Sequence, residues 1–196
     1  MKRLAANFPH PKCLLVAVLI LLASSVGLAQ ADEFTLNLGE PGTLVLDLAP
    51  HWSQEVGSSD NGTPPTVRIY RGDGSHFAML ITPVWAGQDA APDFGTADSV
   101  RRIVESSAAE ISPGAAEEHL EIEPVGKGKT GFMFVATDKS LVGRTPQPDE
   151  YVYLMQGAVM VGKLLCTFTI LTNDRPSPDA EQGLEMLRNA THRVGA

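Results

Sequence analysis

His119, Glu121 and Glu123 alternate with Leu120 and Ile122, so on an extended chain one imidazole and two carboxylates share a face. That is a ligand set for a divalent cation, although a catalytic zinc site recruits its third ligand from elsewhere in the chain. His51, His76 and His192 offer no paired ligand spacing, and the same alternation describes the solvated outer face of a strand. The spacing therefore predicts a solvated face, with metal ligation by His119, Glu121 and Glu123 as the alternative. Pro50-His51-Trp52 is the second cluster, between an apolar run and a stretch from Ser53 to Pro65 rich in Ser, Gly, Asn and Pro. Loops next to rigid elements carry binding residues, so His51 and Trp52 are candidate binding residues. A core role for Trp52 would instead close one end of the interior, with its indole N–H donated to a carbonyl.

Gly128-Lys129-Thr130 has the ending of a phosphate-binding loop. That loop needs glycine five positions earlier and a helix after it; position 123 is Glu, and Gly131-Phe132-Met133-Phe134-Val135 has strand character. It reads as a turn, not a nucleotide site. Arg71-Gly72-Asp73 is followed by Gly74 and has the chemistry of a tight turn. There is no Gly-x-Ser-x-Gly elbow for a serine nucleophile. Cys166 shares parity with Leu164, Phe168 and Ile170, the placement of a core cysteine rather than of an exposed, activated thiolate. No motif calls for a cofactor.

The elements that must position these residues follow from period and turn chemistry. Phe34, Leu36, Leu38 and then Leu44, Leu46, Leu48 alternate with polar residues around Gly39-Glu40-Pro41-Gly42, which predicts a hairpin. Val67 and Ile69, then Phe77, Met79 and Ile81, predict a second hairpin across residues 71–74. Val100, Ile103, Val104, Ala108 and Ile111 fall on one helical face, ended by Pro113-Gly114. Strand character returns at Leu120 and Ile122, breaks over 126–131 and resumes at Phe132. Residues 151–172 are almost wholly apolar and predict two long central strands turning near Gly162-Lys163. Ser177 caps a last helix with Pro178 in its first position, and Gly183 weakens it. The order of hairpins, helix, strands and helix predicts an α+β fold: a single domain with an antiparallel sheet and helices packed on its faces.

A strand ending in Pro50-His51-Trp52, followed by hairpin, helix, long antiparallel strands and a C-terminal helix, resembles the PsbP-like family, with its exported DcrB-like bacterial relatives. The resemblance runs over most of residues 33–192. It implies an antiparallel α/β/α sandwich and a non-catalytic accessory role, and it brings no catalytic motif to place on these residues.

Lys2, Arg3 and Lys12 precede the apolar run Cys13 to Val26, which leads to Leu28-Ala29-Gln30-Ala31. This is the pattern of a secretory signal peptide cleaved after Ala31, and its core is too short for a spanning helix. Cys13 lies before that core, the wrong side for a lipid-anchor cysteine. Cleavage leaves 165 of the 196 residues, with 12 basic residues against 23 acidic ones and a formal charge of −11. Such a balance argues against nucleic acid and anionic membrane surfaces. One cysteine excludes an internal disulfide in the exported domain, residues 32–196. Asn61 and Asn189 sit in Asn-x-Thr patterns that matter only in a eukaryotic secretory pathway. These readings converge on an exported, non-enzymatic accessory or binding protein of the cell envelope, periplasmic or secreted, without stable membrane insertion after cleavage. Its expected partner is an envelope protein or membrane complex. The alternative is a small hydrolase or metal-dependent protein using His51 or the His119 face.

Overall fold

The computed structural model describes residues 32–57, 64–73, 76–87, 94–126 and 128–194. Residues 1–31, Asn61 and Gly74 lie outside the described residues. Ten strands and two helices follow the chain: β1 (Asp32–Asn37), β2 (Thr43–Leu48), β3 (Trp52–Gly57), β4 (Thr66–Arg71), β5 (Phe77–Val84), α1 (Ala97–Ile111), β6 (Glu123–Pro124), β7 (Gly131–Thr137), β8 (Tyr153–Val161), β9 (Leu164–Thr172), α2 (Pro178–Asn189) and β10 (Thr191–Arg193). Seven strands form one antiparallel sheet in the order β3-β4-β5-β9-β8-β7-β6, and β1-β2-β10 form a smaller one. The fold is α+β.

Alternation assigns the two faces of the large sheet. Leu164, Cys166, Phe168 and Ile170 of β9 point to one face, where they pack with Val67, Ile69 and Met79. Leu184 and Leu187 of α2 and Leu44 and Leu46 of the small sheet close the same core. On the opposite face Val100, Val104 and Ala108 of α1 pack on Phe134, Ala136, Ala158 and Leu165. Both helices begin where a side-chain oxygen meets an orphan amide: Thr96 accepts from Ser99 N in a capping box, and Ser177 accepts from Ala180 N with Pro178 next. Gly183, a poor helix former, lies at the closest approach of α2 to the sheet, where an added Cβ would stand 3.0 Å from Met79 Sδ. Its cost to the helix is offset by that approach.

The β8–β9 hairpin turns at Gly162-Lys163 as expected, with Gly162 at φ 60°. Three elements differ from the sequence reading. Trp52 opens β3, which extends through Gly57 and pairs with β4 from Trp52↔Arg71 to Gly57↔Thr66; residues 52–57 are an edge strand rather than a loop. Polar composition misleads here because an edge strand faces water on most sides. Residues 116–122 are irregular; Ala115 forms an isolated antiparallel bridge with Asp138, and Glu123–Pro124 pair with Met133 and Phe132. Leu120 and Ile122 pack against the α1 core without a ladder, and Glu117 fastens this segment by accepting from Thr137 N at 2.9 Å and Thr137 Oγ1 at 2.6 Å. The third difference is β10, three residues after α2 that complete the β1–β2 hairpin.

Candidate functional site

Pro50 and His51 turn the chain from β2 into β3, with Trp52 N donating to Ala49 O at 2.9 Å. The turn delivers His51 and Trp52 to opposite environments. Trp52 is buried and stacks on Phe77, ring centroids 5.3 Å apart and planes at 21°. Among the described residues its indole N–H has no hydrogen-bond partner, so the expected carbonyl is missing there and the ring is held by apolar packing. His51 stays half-exposed, its ring edge-on to Trp52 at 6.1 Å.

Beside His51 lies Asp179, in the first turn of α2. Arg71, at the end of β4, donates through one terminal nitrogen to both Asp179 oxygens at 3.2 Å. Its Nε donates to Asp73 at 3.0 Å, with a second bond from the other terminal nitrogen. The Asp73 bonds, countered in part by burial and aided by Asp179, raise the Arg71 pKa. Arg71-Gly72-Asp73 is thus a turn whose own ends pair, and it pins β4 to α2. His51 Nε2 stands 3.8 Å from Asp179 Oδ1, beyond hydrogen-bond reach. A carboxylate committed to an arginine and a distant imidazole are not an oriented acid–base pair. They form a polar rim over the rigid Trp52–Phe77 pair.

His119, Glu121 and Glu123 are exposed and lie on the irregular segment and the start of β6. Among the described residues no group of three His, Cys, Asp or Glu side chains is placed to hold a metal ion. Lys129 of the Gly-Lys-Thr triplet reaches from the β6–β7 connection to donate to Ala190 O at 2.8 Å. It ties that turn to the end of α2, and β7 follows it with no helix. Cys166 is fully buried, and burial pushes its thiol pKa to about 12. Asn189 is the last residue of α2 and donates to Glu185.

The open half of the large sheet carried no sequence signal. Directly paired residues share a face, and one row runs Glu55, Arg68, Leu80, Thr169, Gln156, Phe134 across six strands. Phe134 ends it beneath α1. At the other end Glu55 and Arg68 are exposed, the Arg68 guanidinium lies 4.9 Å from the Tyr70 ring centroid, and Tyr70 OH donates to Glu55 at 2.9 Å. A helix of fifteen residues spans part of a seven-stranded sheet, and the rest of that face meets solvent. Asp179 was equally hidden: its helix was legible from Ser177-Pro178, but no local pattern announces a partner 108 residues away.

No protein-family model matches the chain, and no curated protein matches it. Its fold is similar to the solution structure of cyanobacterial PsbP (CyanoP) from Synechocystis, with 12% identity, TM-score 0.46, and 86% of this chain and 96% of that one covered. It is similar to the Ran-binding protein Mog1p of Saccharomyces cerevisiae at 10% identity and TM-score 0.41, over 84% and 96% of the two chains. A crystal structure from Bacteroides thetaiotaomicron is similar at 10% identity and TM-score 0.46 over 84% of this chain. The chain spans about half, 49%, of that Bacteroides protein.

Proposed function

We propose that this protein is an exported, non-enzymatic accessory or binding protein of the cell envelope, of the DcrB-like kind, acting through contact with another envelope protein. The observation that carries this reading is the rim above Trp52. His51, the Arg71–Asp73 turn and Asp179 sit on three separate segments, and the two carboxylates share the Arg71 guanidinium instead of orienting a reactive group. A stacked aromatic pair beneath makes the surface rigid, so little ordering entropy opposes docking. A formal charge of −8 for the whole chain favours a neutral or basic partner surface and an encounter that slows as salt rises.

The test is capture of a partner from envelope extracts at low salt by the tagged protein. His51→Ala, which removes a half-exposed side chain, is expected to weaken capture by about threefold or more with the melting temperature unchanged, and salt is expected to slow it. Absence of capture, together with a hydrolytic turnover abolished by His51→Ala, would replace this reading with the hydrolase.

A further inference from the structure

A cavity of about 320 Å³ opens at the C-terminal end of α1, at the lower end of the range for small-molecule sites. Its apolar wall comes from Ile111, Ala136, Leu154 and Leu171, which belong to four elements. Tyr151, half-buried, contributes an aromatic ring. Asp138 is the one charged residue among the described residues that line it.

Two features favour a cation in the cavity. Asp138 supplies a full negative charge; its Oδ1 accepts from Ser140 N at 2.8 Å, and the Glu150 carboxyl feels its repulsion. The end of α1 lies in the wall through Ile111; its last turn holds no basic residue, but the Lys139 ammonium donates to Pro113 O just beyond it and offsets the partial negative charge of the helix carbonyls. An aromatic face attracts cations as well. Arg144 is paired with Glu150 at 2.7 Å, whereas Lys139 keeps its charge at the helix end, because Pro113 O is a neutral acceptor.

We propose that this cavity binds a small organic cation with an apolar body, the charged head toward Asp138 and Tyr151, the body against Leu154 and Leu171. The site lies on the α1 face of the sheet, apart from the His51 rim.

Benzyltrimethylammonium, benzyl alcohol and benzoate are three probes of similar size and different charge. Titrated into the purified protein and followed by amide chemical shifts, the cation is expected to perturb Ala115, Ala136, Thr137 and Leu171 and to bind at least fivefold tighter than the alcohol, with benzoate weakest. Asp138→Asn keeps an acceptor for Ser140 N and removes the charge. It is expected to weaken the cation by roughly two- to fivefold, as for a partly exposed ion pair, and to leave the alcohol unchanged. Equal binding of cation and alcohol, preference for benzoate, perturbations elsewhere, or a cation affinity indifferent to Asp138→Asn would each overturn the proposal. The charge series on the unaltered protein decides it even if the variant fails to fold.

Discussion

Cys166 and Trp52 show how far a side chain's chemistry depends on where its strand or turn carries it. The thiol faces the core between Leu164 and Phe168, and burial moves its pKa from the ordinary 9.0 to about 12. Because the folded value is the higher one, this group's contribution to stability is intact below pH 9 and is lost as pH climbs toward 12. Urea unfolding at pH 8 and pH 10 is expected to show the native protein losing about 1.4 kcal/mol more than Cys166→Ala over that interval, one pKa unit's worth. Parallel losses would mean that the thiol ionises freely. Trp52 makes the complementary point. Its unpaired indole N–H carries a desolvation cost of about 1–3 kcal/mol, set against stacking on Phe77 and the burial of a large apolar ring.

At the scale of elements, the β7–β8–β9 unit depends on the absence of a side chain at Gly157. Gly157 of β8 lies where an added Cβ would stand 2.7 Å from both Met133 Cβ and Phe168 Cζ and collide with the Phe132 carbonyl. Those obstacles are a backbone carbonyl, a Cβ fixed to its backbone and a buried ring, so none yields cheaply. Gly157→Ala is expected to destabilise the protein by about 1–3 kcal/mol, the range for an overpacked core, measured as a lower urea midpoint with an unchanged slope. A neutral or stabilising result would show that β7 and β8 separate more easily than their register implies. Gly183 of α2 differs, because its nearest obstacle is the flexible Met79 thioether.

For the whole molecule, compartment and surface charge set what the protein meets. Mass spectrometry of the protein recovered from the extracytoplasmic fraction is expected to find an N-terminus at or near Asp32, where β1 begins. Recovery of only the full-length chain from the inner membrane would favour an uncleaved anchor. The two candidate surfaces, the His51 rim and the cavity beside α1, belong to opposite layers. The rim rests on α2 and the edge of β4, and the cavity on β7, β8 and the end of α1.

The sequence by itself determined the α+β class, both helices, the second with its Ser177 cap, the first two hairpins and the long β8–β9 pair. Each rests on a period of 2 or 3.6, a capping oxygen or a turn glycine, all of which act within a few residues. It also excluded a phosphate loop, since a missing glycine and a following strand are local facts too. Only the tertiary structure decided that residues 52–57 pair as an edge, that Leu120 and Ile122 belong to no strand, and that Thr191–Arg193 join the first hairpin. Those choices depend on which backbone partners are within reach after collapse. The same reason hid the sites. Arg71 and Asp179, or Ile111 and Leu171, meet because separate layers stack, and stacking is settled by the summed burial of whole faces rather than by any short run of residues.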